Sequence, residues 1–380
     1  MNSKRISQKE GTVLLEKEYM RLAITLAHGM KGQTTPNPPV GAVVVNDGAI
    51  VGLGAHLAYG EKHAEAIALD MAKEKAEGGT VYVTLEPCSH YGKTGPCADY
   101  LIDKKVRRVV IACRDVNEKV AGKGIARLQS AGIIVEEGFL FDEARSLYDV
   151  FFHFISRKRP FVTLKAAMSL DGKTATSSLE SKWITNEAAR MDAHAYRHEH
   201  DAILVGINTV LEDDPKLTNR LPEGRQPVRI VLDTDLRTPL AANVASDGLA
   251  ETWIFVGSHI AASKIESFDS PHVRIIQMDD ETVEIKRVLE WLGREQIGSV
   301  LVEGGATISG SFLKDKLIDK LVIYMAPIVI GGEQAPGAFA GKGFARLKDA
   351  LELHIQEVTM VEGQIKIVAT KEENDVYGNR

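Results

Sequence analysis

One histidine followed at a distance by two prolyl-cysteine pairs constrains this chain more than any other feature: His63-Ala64-Glu65, then Pro87-Cys88, then Pro96-Cys97. An imidazole and two thiolates form a donor set for zinc, so any fold the chain adopts has to bring three separate stretches to one point. Structural zinc normally takes four protein ligands, whereas three leave a corner for a water that the metal acidifies. Glu65, two residues past the histidine, then stands beside that corner as an unligated carboxylate able to move the water's protons.

Local patterns place these residues on element ends. Apolar residues at Tyr19, Leu22, Ala23, Leu26 and Ala27 predict a helix over 16–31, which Pro36-Asn37-Pro38-Pro39 cannot continue. Val40 to Val45 and Ala49 to Gly54 read as strands around the turn signal Asn46-Asp47-Gly48. Ala64, Ile67, Ala68, Met71 and Ala72 predict a helix over 61–77 with His63 and Glu65 in its first turn. Val81 to Leu85 is a strand that runs into Cys88, and Pro96 at the first helical position opens a helix to about Lys105. The strands Arg107 to Cys113 and Ile133 to Val135, joined by a helix from Gly124 to Ala131, complete an α/β/α layer.

At 380 residues, 44% of them hydrophobic, the chain is expected to form two domains. The division expected is a flexible 1–15, a first domain over 16–156, a second over 160–371 and a polar tail at 372–380. Strand candidates restart at Phe161 to Ala166 and continue through Ala202 to Val205, Val228 to Leu232, Thr252 to Val256, Val273 to Ile276, Ser299 to Val302 and Leu321 to Ile323. Helices over 187–199 and 283–295 alternate with them, which predicts a mainly parallel sheet. With 46 basic against 52 acidic residues the net charge of −6 argues against a nucleic-acid partner. The sequence has no apolar run of bilayer length, and its opening is too polar for a secretory signal, so no membrane partner and a cytoplasmic location are expected. Three cysteines make no disulfide framework; Cys113, inside an apolar run, reads as a buried inert thiol.

Taken together, the histidine, glutamate and cysteines match the type of signature seen in zinc deaminases, in which the glutamate is acid and base rather than ligand. Their flanks are more specific. Pro36-Asn37-Pro38-Pro39-Val40-Gly41-Ala42, Gly52-x-Gly54-x-His56 before Gly60 and His63, and Glu86 to Cys97 resemble the deaminase domain of the bifunctional riboflavin-biosynthesis deaminase-reductase family. Eight residues separate the cysteines, where nucleic-acid deaminases usually have two. Gly95 stands where the family usually has a proline, so a looser loop with Cys97 retained is expected. The resemblance implies one zinc ion on His63, Cys88 and Cys97, with Glu65 relaying protons during hydrolytic loss of the 2-amino group of a diaminopyrimidinone ribotide. It also implies that Asn37, His56, His90, Lys93 and Thr94 hold the base and its ribose phosphate. Each of these five has an ordinary alternative as a turn or solvated residue.

The second half has no Gly-x-Gly-x-x-Gly after a strand. Its phosphate cue is Ser299 to Gly310, a strand entering a glycine-rich turn and a helix, whose free amides suit an anion or simply form a turn. Lys165 to Gly172, Ser181 to Thr185, Val205 to Arg220 and Glu303-Gly304-Gly305 resemble the companion reductase domain, whose fold is like dihydrofolate reductase. The expected architecture is therefore a cytidine-deaminase-like α/β/α domain followed by a dihydrofolate-reductase-like α/β domain. By the same resemblance NADPH reduces the ribosyl chain to a ribityl chain. Lys165, Ser181, Arg197, Leu217, Arg220 and Glu303 would line the substrate, the arginines facing its phosphate. Ala167, Trp183, Thr209, Asp213, Thr234 and the run Gly305, Ala306, Thr307, Ile308, Ser309, Gly310, Ser311 would contact the cofactor. Trp183 also reads as a core anchor, and Asp213-Asp214-Pro215 as a helix-ending turn. A homo-oligomer, dimer or tetramer, acting on small pyrimidine ribotides is expected. Two rivals stand beside this reading: a deaminase acting on RNA, which the acidic balance and long cysteine loop oppose, and a non-enzymatic sensor with purely structural zinc.

Overall fold

The computed structural model describes residues 8–91, 95–117, 120–221 and 224–371, with side chains from residue 15 onward. The chain divides into two units, the first ending at Arg157 and the second beginning at Lys158. In the first unit α1 (Gln8–His28) precedes β1 (Gly41–Asn46), β2 (Ala49–Ala55), α2 (Ala64–Ala72), β3 (Thr80–Leu85) and α3 (Cys97–Asp103). Then come β4 (Arg108–Cys113), α4 (Lys123–Ser130), β5 (Ile134–Glu136), α5 (Phe141–Ala144) and α6 (Asp149–Arg157). The sheet order is β2-β1-β3-β4-β5, antiparallel for the first three strands and parallel from β3 to β5. Asp47 and Gly48 adopt φ of 48° and 75°, the left-handed pair that a tight hairpin turn requires.

Successive side chains of a strand point to opposite faces, and here both faces are covered. Val43, Tyr82 and Val110 pack with Met20, Ala23 and Phe152 of α1 and α6. Val44, Val81, Val83, Val109 and Ile111 pack with Ala64, Ala68, Leu101 and Leu128 of α2 to α4. The result is the expected α/β/α layer. Glycines allow α2 to lie directly on β2: a Cβ at Gly52 would fall 2.1 Å from the Ala68 carbonyl oxygen, and one at Gly54 would fall 2.1 Å from that of Ala64.

Several boundaries differ from the sequence expectation. The first helix runs back to Gln8, ahead of the start expected at residue 16; residues 1–7 and the tail 372–380 lie outside the described residues. The helix expected over 61–77 begins at Ala64 and ends at Ala72, because Lys73 takes φ 53° and turns the chain into a 3₁₀ segment. His63 is therefore its extended N-cap, not a first-turn residue. Likewise Pro96 is the N-cap of α3 and Cys97 its first helical residue.

The second unit comprises β6 (Phe161–Ser169), α7 (Glu187–Glu199), β7 (Ala202–Gly206), α8 (Ile207–Asp213), β8 (Val228–Leu232), α9 (Asn243–Ser246) and β9 (Thr252–Val256). It continues through α10 (Ala262–Glu266), β10 (Val273–Gln277), α11 (Ile285–Arg294), β11 (Ser299–Val302), α12 (Ala306–Lys314) and β12 (Lys320–Ala326). Two strands absent from the sequence expectation, β13 (His354–Val361) and β14 (Gln364–Thr370), close the sheet as an antiparallel hairpin. The order is β10-β9-β8-β7-β11-β6-β12-β14-β13, parallel up to β12. The chain reverses direction across the sheet where β11 inserts between β6 and β7, and in open parallel sheets the carboxyl ends at such a reversal form the ligand crevice. On the β12 side, α7 packs Ala189 and Ala193 on Val322 and Tyr324. Cys113 is fully buried, as its sequence context implied.

Gly54→Ala is expected to lower the melting temperature of the first unit, at a cost of about 1–3 kcal/mol from overpacking. Because α2 must lift off β2, bound zinc per chain should fall with it. Unchanged melting and metal content would contradict the close contact.

Candidate active site

In the first unit α2 and α3 present their N-termini to one point beside the end of β3. The Nδ1 of His63 lies 3.2 Å from Cys97 Sγ and 3.5 Å from Cys88 Sγ, so this nitrogen is the one turned to the sulfurs. All three donor atoms fall within 4.8 Å of one another. One nitrogen and two sulfurs, two donors half-buried and one buried, fit the ligand chemistry of zinc with a coordination position to spare. The backbone N–H of Cys97 donates to Cys88 Sγ at 3.3 Å. A hydrogen bond from the Cys97 thiol, helped by His63 and that N–H, outweighs burial and holds Cys88 below the usual thiol range. Cys97 is pushed up in turn by its bond to Cys88 and by burial.

Glu65 sits in the first turn of α2, 3% exposed, and stands outside the three-residue donor cluster. Burial pushes its carboxyl up to about 7 against the lowering effect of His63, which puts proton exchange near neutrality. Glu65, His63 and Cys88 line a cavity of about 310 Å³ together with Asn37, His56 and His90. The Asn37 amide donates to His56 Nε2 at 3.1 Å, and His56 Nδ1–H donates to the Lys62 carbonyl at 3.2 Å. Burial keeps this imidazole neutral, which fits that tautomer. Lys93 and Thr94, expected at the phosphate, lie outside the described residues.

Sequence reasoning missed several walls of this cavity: Tyr59, Asp115, Asn117 and Phe151. It also gave no role to Glu86, the residue before Pro87. Its carboxylate accepts backbone N–H groups from Asp115, Gly122, Gly124 and Ile125 at 3.0 to 3.4 Å, and so caps α4. A glutamate just before a prolyl-cysteine, inside an apolar strand end, was the available signal.

In the second unit the expected residues gather in part. Arg197 on α7 binds Glu303 with Nε at 2.8 Å and Nη2 at 3.1 Å, while its Nη1 donates to the Thr218 carbonyl at 2.9 Å. Lys165 on β6 approaches the same carboxylate at 3.6 Å. Burial alone would raise Glu303, but the Arg197 and Lys165 charges hold it at about 2. Leu217 is buried with φ 53°, and Arg220 is exposed. Lys182 pairs with Asp213 at 3.0 Å and thereby ties the Ser181 to Trp183 segment to the end of α8, near Thr209. Trp183 is 71% exposed under the Arg190 guanidinium, so it is no core anchor. Asp214 does end α8 in a left-handed turn.

The glycine-rich turn leaves the start of α12 open. Gly305 caps α12 without any side-chain hydrogen bond, and the place a Cβ would take is open. Uncapped first-turn amides facing open space fit a cofactor phosphate. Ala306 and Thr307 share that first turn, whereas Gly310 faces inward: its Cβ would strike the Ala340 carbonyl oxygen at 1.9 Å. Ser309 is buried, and the Ser311 hydroxyl bonds the Thr307 carbonyl. Thr234 follows β8; its hydroxyl accepts from the Val283 N–H at 3.4 Å. Ala167 lies on β6 opposite Tyr324.

Residues 15–113 match the family described as the cytidine and deoxycytidylate deaminase zinc-binding region, and residues 160–367 match the RibD C-terminal domain. Riboflavin biosynthesis protein RibD of Bacillus amyloliquefaciens is 49% identical over 371 residues, covering 96% of this chain and 100% of that protein. The Escherichia coli K12 protein of the same name is 41% identical, covering 91% of this chain and 96% of its own. Among solved structures, Acinetobacter baumannii RibD (form 1) superposes with a TM-score of 0.85 at 37% identity, over 95% of this chain and 100% of that one. A Thermotoga maritima diaminohydroxyphosphoribosylaminopyrimidine deaminase/5-amino-6-(5-phosphoribosylamino)uracil reductase does so with a TM-score of 0.85 at 35% identity, over the same shares. The chain thus belongs to the RibD family of bifunctional riboflavin-biosynthesis enzymes, in which a zinc-dependent deaminase precedes an NADPH-dependent reductase.

Proposed function

We propose that the two units act in succession on one pyrimidine ribotide. The first replaces the 2-amino group of 2,5-diamino-6-ribosylamino-4(3H)-pyrimidinone 5′-phosphate with oxygen and releases ammonia. The second adds hydride to the ribosyl carbon bound to nitrogen and yields 5-amino-6-(5-phosphoribitylamino)uracil. The observation that carries the reading is the convergence of His63, Cys88 and Cys97 on a cavity that also holds the free carboxylate of Glu65.

A zinc ion on those three residues supplies the Lewis acidity that makes water nucleophilic at neutral pH. Glu65, with a carboxyl near 7, takes a proton and hands it to the departing amino group. The Asn37 amide nitrogen is engaged by His56, which leaves its carbonyl oxygen for the pyrimidine edge. His90 at the cavity wall, with Lys93 and Thr94 by family resemblance, meets the ribose phosphate.

In the second unit NADPH supplies the hydride. The first turn of α12 and the segment tied to Asp213 hold the cofactor, with Ala167, Trp183, Thr209 and Thr234 around it. Arg197 has its fork committed to Glu303 and Thr218, so it orients that carboxylate. Arg220, exposed and with no ion pair among the described residues, receives the substrate phosphate. Lys165, between Glu303 and the substrate, supplies a proton. The net charge of −6 and the small cavity support small-molecule substrates rather than nucleic acid. No helix among the described residues is long and apolar enough to cross a membrane. The apolar side chains of the edge strand β13, with Ile355 and Met360 each 66% exposed, support self-association.

Three outcomes follow. Glu65→Gln should lower ammonia release by at least about a hundredfold while zinc content stays at wild type and NADPH oxidation with the deaminated ribotide is unchanged. Stripping zinc with a chelator should abolish the same half-reaction alone. Arg220→Ala should raise KM for the ribotide in the reductase reaction by about tenfold with little change in kcat, as expected for loss of a charged phosphate contact. Ammonia release that survives both the first variant and the chelator would refute the zinc reading.

A further inference from the structure

His194 lies on α7 one turn before Arg197 and has no place in the chemistry described so far. The residue is 6% exposed, and its buried Nδ1 finds no hydrogen-bond partner among the described residues. Around it stand Arg197 on the same helix, Arg220 after α8, Glu303 after β11 and Lys165 on β6, all near enough to act on its charge. Burial, then the Arg197 and Arg220 charges, push the imidazole down to about 4, which leaves it neutral under ordinary conditions. A buried polar atom without a partner destabilises a fold, and a native protein that keeps one there has a use for it.

The chemistry of the cluster narrows that use. Arginine and lysine only donate hydrogen bonds. The two oxygens of Glu303 already face Arg197 and Lys165. A sugar phosphate brings phosphate oxygens, which suit the cations, and hydroxyls, which need an acceptor. Of the five groups, the neutral imidazole alone carries an acceptor that no donor among the described residues engages.

We propose that His194 is a substrate-contacting residue of the reductase unit, accepting a hydrogen bond from a hydroxyl of the ribosyl chain and so fixing the carbon to be reduced. This rests on the reading of the Arg197, Arg220, Glu303 and Lys165 cluster as the sugar-phosphate site.

The test uses full-length protein with the deaminated ribotide and NADPH, following cofactor oxidation, with ammonia release from the diamino ribotide as a control in the same preparation. His194→Leu should lower reductase kcat/KM by about ten- to a hundredfold, leave the NADPH Kd and ammonia release unchanged, and melt at the same or a higher temperature. His194→Asn, whose amide stands where Nδ1 stood, should recover most of the lost rate. Wild-type kinetics in the leucine variant would overturn the proposal, as would a loss of NADPH affinity or melting temperature that parallels the loss of rate. The Arg220→Ala variant separates the two levels. If it raises KM and His194→Leu changes nothing, this proposal alone falls; if neither variant affects the reaction, the sugar-phosphate reading of the cluster falls with it.

Discussion

Four backbone N–H groups converge on the Glu86 carboxylate, and the geometry of the first active site follows from that convergence. Two of them, Gly124 and Ile125, belong to the first turn of α4; the others, Asp115 and Gly122, come from the segment leaving β4. Burying a carboxylate is costly unless its oxygens are filled, and burial does raise Glu86 despite these donors. Filled in this way, it ties the carboxyl ends of two neighbouring strands and a helix start into one block. Gly124 permits the approach, because a Cβ there would lie 2.0 Å from the Pro87 carbonyl oxygen. Cys88 follows immediately, so its thiol leaves a backbone that cannot drift, and Cys97 reaches it through its own N–H.

The second unit uses the same device away from its chemistry. Asp201 accepts the N–H groups of Gly298 and Ser299, pinning the start of β11 beside β7, and Asp319 accepts that of Val162 while pairing with Arg159. These carboxylates are held by backbone and serve the architecture. Glu65 is as deeply buried and Glu303, its side chain 11% exposed, nearly so, yet Glu65 stands outside the three-residue donor cluster and Glu303 is held, among the described residues, by side chains. That difference separates the carboxylates that can respond to a substrate from those that cannot, since a side-chain partner can be exchanged and a strand amide cannot without unzipping the sheet.

The sequence showed the metal cluster because ligand chemistry admits few residue types, and His63, Cys88 and Cys97 had no equally specific competing explanation. It showed most strands of the second unit because β7, β9 and β11 carry continuous runs buried on both faces, while β10 and β12 are less buried but still rich in β-branched and other apolar residues. It placed the start of α2 too early, since the apolar stripe says nothing about where Lys73 turns the chain or where His63 leaves the helix. The hairpin of β13 and β14 has no place in the sequence reading although Glu362-Gly363, at φ 44° and 82°, is a readable turn and Gln364-Ile365-Lys366-Ile367 after it alternates as a strand does; β13, at the exposed edge, lacks the buried apolar run that marks the inner strands. His194 was illegible for a different reason. Its position on one face of α7 with Arg197 could be read from spacing, but that Nδ1 would lack a partner depends on what β6, β11 and the segment after α8 bring to it.

The two working carboxylates show how neighbours, not burial, decide the sign of a titration. Glu65 and Glu303 both lose their hydration on folding, which by itself favours the neutral acid. Beside Glu65 the opposing influences are the His63 imidazole first, then hydrogen bonds from its own backbone and from Cys97, with Cys88 pushing the other way, and the carboxyl stays up near 7. Beside Glu303 a guanidinium fork and an ammonium overwhelm the same desolvation and bring it down to about 2. The first group is poised to gain and lose a proton in each turnover, as hydrolytic loss of an amine demands. The second is a fixed negative charge that can orient cations but cannot exchange protons near neutrality, so in a hydride transfer any proton must come from another group, the role proposed above for Lys165, whose ammonium lies 3.6 Å from that carboxylate.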